Sequence, residues 1–128
     1  MNDSNNISKR RKEIKKIALS TLRNAEPVFH KQAQLSITIT GGGIEEYLNQ
    51  PHKHYFEKNE MLLRIRSVLE QATYMGISYL RGKKSFVFET ELCGEKTWLI
   101  VNEVKGRGAS LYSISDSDKV LTEIKKPI

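Results

Sequence analysis

Two imidazoles and two primary amines fall within seven residues of one another in the stretch Pro51-His52-Lys53-His54-Tyr55-Phe56-Glu57-Lys58-Asn59. Imidazole exchanges protons near neutral pH, and ammonium groups hold phosphate oxygens, so this composition suits work on a phosphodiester. Cleaving RNA without a metal needs a base for the 2′-hydroxyl, an acid for the leaving oxygen, and donors for the charged phosphorane between them. His52 and His54 could move protons, Lys53, Lys58 and Arg107 could supply charge, and Tyr112, Ser113 and Ser115 could donate hydrogen bonds. On a regular strand Tyr112 and Ser113 point to opposite sides, so both face one site only if a bulge lies between them.

Other chemistries fit less well. His52-x-His54 would need a third zinc ligand from His30, Cys93 or a distant carboxylate, and none stands at a recognisable spacing. No metal or cofactor is therefore expected. Cys93 abuts a hairpin turn with no helix N-terminus to activate its thiolate. Glu89, Glu91 and Glu95 read as solvated, with Glu89 a distant candidate for the base. Gly41-Gly42-Gly43 between a strand and a helical turn has the layout of a phosphate loop, but the Lys-Ser/Thr is missing. Glu45 and Glu46, expected in the first helical turn, would repel a phosphate there.

The elements that position these groups can be read in order. Ser8 can cap a basic helix carrying Lys9, Arg10, Arg11 and Lys12, with Ile14, Ile17, Ala18, Leu22 and Ala25 on one stripe and an end near Pro27. Leu35 to Thr40 alternates as a half-buried strand. After the histidine stretch, Met61, Leu62, Ile65, Val68, Leu69 and Ala72 mark one side of a second long helix. Thr73 to Leu80 is ambiguous, with a short strand as one reading, and Arg81 to Lys84 is a turn. Phe86 to Leu92, Trp98 to Val101 and Ser110 to Ser115 read as three strands of a meander, the middle one apolar on both faces and hence central. Asp116 or Ser117 can cap a last helical turn with Val120, Leu121 and Ile124. The expected fold class is α+β, with N-terminal helices packed on one face of an antiparallel meander.

Length and charge bound the possibilities. The 128 residues suffice for one domain, in which residues 1–34 form a basic helical segment and residues 35–128 the core. The net charge of +6 is uneven: +5 lies in residues 1–34 and only +1 in the remainder. Any polyanion contact by the core must come from a local patch, whereas Lys9, Arg10, Arg11, Lys12 and the loop's Lys53 could touch a nucleic-acid backbone. At 38% apolar and 28% charged residues there is no run of membrane-spanning length, and the polar N-terminus is no secretory signal. A single cysteine fits a reducing cytoplasm.

The run Ile39-Thr40 to Gly43-Ile44-Glu45-Glu46, then Asn49-Gln50-Pro51-His52-Lys53-His54-Tyr55, Lys58-Asn59, Ala72-x-Tyr74, Glu89-Thr90, Gly94-Glu95-Lys96-x-Trp98 and Tyr112-Ser113-Ile114-Ser115-Asp116 resembles a domain found on phage and mobile-element proteins. That domain often lies at the C-terminus of phage Mu F-like head morphogenesis proteins. It is similar in layout to phage-associated nuclease-like domains of the barnase, EndoU, colicin and RelE group. The resemblance covers residues 36 to 116 and implies a barnase/RelE-like fold, with His52, His54 and Lys58 on the loop and helix start and Arg107, Tyr112 and Ser113 on the last strands.

Two functions follow as expectations. One is a metal-independent, toxin-type RNA endonuclease acting on tRNA or mRNA, with a possible immunity partner. The other is a non-catalytic module that contacts nucleic acid or a phage structural protein through the basic helix. Either implies a cytoplasmic or virion-associated protein.

Overall fold

A computed structural model describes residues 3–80, 83–105, 108–122 and 124–125. It has the α+β architecture expected from the sequence. The order is α1 (Asp3–Thr21), β1 (Val28–His30), β2 (Leu35–Thr38), α2 (Gly41–Asn49), α3 (Tyr55–Met61), a 3-10 turn (Leu62–Arg64), α4 (Ile65–Gln71), β3 (Thr73–Leu80), β4 (Lys83–Leu92), β5 (Glu95–Val104), β6 (Gly108–Ser115), a second 3-10 turn (Asp118–Leu121) and β7 (Ile124–Lys125). The strands form one sheet in the order β1-β2-β6-β5-β4-β3-β7, with β5 at its centre as its two apolar faces require. Strands β3 to β6 are the antiparallel meander. The sheet is nonetheless mixed, because β2 runs parallel to β6 through Ile37↔Ala109 and Thr38↔Ser110.

Helix α1 begins ahead of Ser8, so Lys9 to Lys12 lie beyond the first turn and the macrodipole penalty on them is relieved. Its buried stripe, Ile14, Ala18 and Leu22, has a spacing of four, while Ile17 is 40% exposed. Glycines 41 to 43 belong to α2, capped by Thr40, whose Oγ1 accepts from the Gly43 amide at 2.9 Å. The small residue at 43 is a packing requirement: a Cβ there would lie 2.2 Å from the Leu111 carbonyl oxygen of β6. Glu45 therefore falls past the first turn and faces α1, pairing with Lys15 at 2.6 Å and Arg11 at 3.6 Å. These two cations hold its carboxyl below the usual range.

The second long helix is broken into α3, a 3-10 turn and α4, yet its expected stripe of Met61, Leu62, Ile65, Leu69 and Ala72 is buried. That stripe joins Ile14, Ala18, Ile44 and Leu48 in one core against Phe86, Phe88, Leu99, Val101 and Leu111 of the sheet. Thr73 to Leu80 is a full strand; an irregularity between Tyr74 and Gly76, with Gly76 at φ +133°, breaks its alternation. Ser117 caps the second 3-10 turn as expected, whereas Ile124 pairs with Ser78 in β7. Among the described residues no helix is long and apolar enough to cross a membrane.

Candidate functional site

His52 sits where the loop crosses the ends of β5 and β6. The amide of His54 donates to its Nδ1 at 2.9 Å, so the ring hydrogen is on Nε2, which donates to Thr97 Oγ1 at 3.0 Å. Thr97 passes its own hydrogen to the Ser115 carbonyl at 2.9 Å. Both ring nitrogens are engaged, and the chain ends on a main-chain acceptor. Burial pushes the His52 imidazole below its ordinary pKa; Asp116 opposes this, while Lys58, His54 and Lys53 add to it. His30, buried at 2% exposure, is held in the same tautomer: Ala33 N donates to Nδ1 and Nε2 donates to the Ala72 carbonyl, with the ring 4.7 Å from Phe88.

Lys58 has no exposed surface. Its Nζ donates to the carbonyls of Tyr47 (2.9 Å), Leu48 (3.1 Å) and Gln50 (2.9 Å) at the C-terminal end of α2, where the Tyr47 carbonyl also accepts from the Gln50 amide and the Leu48 carbonyl from the Tyr55 hydroxyl. Tyr55 lies under the ammonium at 4.3 Å from its ring centre, and the Tyr47 hydroxyl returns a bond to the Lys58 carbonyl at 2.7 Å. Burial, helped by the charge of Arg11, pushes the amine down to about 7. The three carbonyls act the other way, because only the charged form has three hydrogens for three acceptors. Lys58 joins α2 to α3 and presents nothing to solvent.

His54 and Lys53 project from the outer side of the loop onto one carboxylate. His54 Nε2 and Lys53 Nζ lie 3.0 and 3.2 Å from Glu95 Oε2, and hydrogen bonding to His54, then to Lys53, holds the Glu95 carboxyl below its usual range. The Lys53 amide donates to Asp116 Oδ2 at 2.7 Å. Close by, His54, Glu57 and Cys93 each offer a ligand atom within 4.8 Å of the others. Glu89 is engaged elsewhere, accepting from Trp98 Nε1 at 3.0 Å, with Lys96 at 3.5 Å.

Strand β6 gathers a second set of groups. Ile100 pairs with Ser113 and Val101 with Leu111, which leaves Tyr112 as an unpaired bulge residue. This is the irregularity needed for Tyr112 and Ser113 to share a side, and both line a cavity of about 620 Å³ on the sheet. The register puts Ser78, Ser85 and Asn102 in one row across three strands, with Ser85 Oγ bonded to Asn102 Oδ1 at 2.9 Å. Val87, Ile100 and Ser113 make the next row, and Lys83 and Lys119 also line the cavity. His52, His54 and Lys58 are not among its lining residues. Arg107 lies outside the described residues. Ser85, Asn102 and Lys119 escaped the sequence reading, although polar residues alternating with Phe86, Phe88, Leu99 and Val101 were a usable signal.

The basic helix divides similarly. Arg10 makes two hydrogen bonds to Glu60, at 2.6 and 2.9 Å, and Arg11 donates to Asn49 at 2.5 Å, so both face α2 and α3. Lys9, Lys12 and Lys16 are exposed.

No curated protein matches the chain, and no solved structure does. A family profile, that of the large polyvalent protein-associated domain 3, matches residues 5–112, from the first turns of α1 to the bulge in β6. With most of its length so matched, the chain belongs to this family of domains associated with the polyvalent proteins of phages.

Proposed function

We propose that the domain is a binding module of a phage polyvalent protein that takes up single-stranded RNA in the cavity on its sheet. The observation that supports this reading is the bulge at Tyr112, which adds a 42%-exposed aromatic ring to a floor of hydroxyl and amide groups. A ring of this kind stacks on a base, Lys83 and Lys119 suit phosphates, and Ser78, Ser85, Asn102 and Ser113 suit base edges and 2′-hydroxyls. Among the described residues that line the cavity none is a carboxylate. Exposed Lys9, Lys12 and Lys16 on α1 add long-range attraction.

Cleavage of that RNA is the second reading. It is favoured by the link from His52 through Thr97 to Ser115, a residue that also lines the cavity. It is opposed by the lack of an imidazole among the lining residues and by the engagement of both His52 nitrogens.

Fluorescence anisotropy of a labelled single-stranded RNA at two salt concentrations separates these readings. Tyr112→Ala is expected to weaken binding about tenfold. Lys83→Gln and Lys119→Gln should each lower the salt slope by about 0.7. Unchanged affinity in all three variants, with binding lost in Lys9→Gln/Lys12→Gln/Lys16→Gln, would move the interface to the helix. Metal-independent cutting that disappears in folded His52→Gln would establish the nuclease.

A further inference from the structure

We propose that His54, Glu57 and Cys93 form a site for a divalent transition metal ion of the zinc class, clamping the β4–β5 hairpin to the start of α3. The three donors come from two separate segments, and their ligand atoms already lie within 4.8 Å of one another. A tetrahedral ion with bonds of about 2.0 to 2.3 Å needs only a small closure of that triangle. Nitrogen, carboxylate oxygen and sulfur together suit a borderline-soft ion; calcium and magnesium favour all-oxygen sets.

Further observations point the same way. Glu95 holds His54 at Nε2, so the nitrogen left with a lone pair is Nδ1; a carboxylate behind a histidine is the arrangement that orients such ligands. Glu57 lies three residues after His54, in the first turn of α3, which sets both on one side. Cys93 has φ +55° and Gly94 φ +75° in the two-residue turn joining Leu92 to Glu95, a position where Asn, Asp or Gly is favoured. Among the described residues neither the Glu57 carboxylate nor the Cys93 thiol has a hydrogen-bond or ionic partner. The nearby Lys53 ammonium is paired with Glu95, so its charge is offset. The thiol gives up its proton to water as the sulfur binds, and the fourth position is open to a water molecule.

The site is tested on the full chain without an affinity tag, stripped by a chelator and then titrated with Co²⁺ and Zn²⁺. One equivalent of cobalt should give tetrahedral d–d bands and a sulfur-to-cobalt charge-transfer band, with one proton released, and zinc should displace it. Cys93→Ser should abolish the charge-transfer band. Glu95→Gln, which removes no metal ligand, should weaken zinc binding about 10- to 100-fold. Circular dichroism on each variant establishes that it is folded. Absence of the sulfur band in the unaltered chain, or zinc affinity unmoved in folded Cys93→Ser, overturns the proposal.

Discussion

The loop between α2 and α3 and the open row of the sheet invert what residue type alone suggests. The loop carries the groups richest in chemistry, yet His52 and Lys58 are saturated by internal partners, and Lys58 is wholly buried. The sheet row carries hydroxyls, an amide and one tyrosine, and these line the open cavity. Reactive side chains are also strong hydrogen-bonding side chains, so a fold with loose helix ends recruits them as caps. Availability at the surface, not identity, separates a site from a brace.

The sharpest way to break this contrast is Lys58→Met. It keeps much of the volume but removes three charge-assisted hydrogen bonds and leaves the Gln50 carbonyl without its ammonium donor, and should destabilise the domain by about 3 kcal/mol in urea unfolding. A folded, equally stable Lys58→Met variant would return Lys58 to the pool of functional candidates. Gly43→Ala comes next. With the Leu111 carbonyl 2.2 Å from the new Cβ, α2 must lift from β6, a loss of about 2 kcal/mol read as a lower denaturation midpoint.

A smaller effect concerns His52. Its folded pKa is depressed, so the unfolded chain binds more protons below about 6.5. Stability is therefore fully present above that pH and falls as pH drops toward the folded value. His52→Gln should lose about 1 kcal/mol at pH 7.5 and remove this part of the acid sensitivity. Tyr112→Ala, by contrast, should leave the unfolding free energy within about 0.5 kcal/mol of the parent. A large loss there would make the tyrosine a brace as well.

Much of the fold was legible because burial imposes period. Ile14/Ala18/Leu22, Leu62/Ile65/Leu69 and Phe86/Phe88 announced their buried faces, and Trp98 to Val101 its central place. What escaped is decided by contacts between distant segments. Val28 to His30 is too short to show alternation, and β2 joins β6 by a parallel pairing no local pattern encodes. Lys58 reads as surface because lysine usually is, and only the end of α2 makes it interior. Of the candidate site, the bulge condition on Tyr112 and Ser113 was stated from strand geometry, but the route of Pro51 to His54 across the ends of β5 and β6 was not. That route separates the imidazoles from the cavity they were expected to share.

The parallel contact of Ile37 and Thr38 with Ala109 and Ser110 has a kinetic consequence. During synthesis the hairpins from β3 onward can zip up as they emerge, but β2 has no neighbour on that side until β6 leaves the ribosome. Until then the side of α2 that packs on β6 and one edge of β2 wait uncovered, open to chaperones or to mispairing with another nascent copy. The β2–β6 contact should form after the β3–β6 meander and be the step that limits the rate of folding.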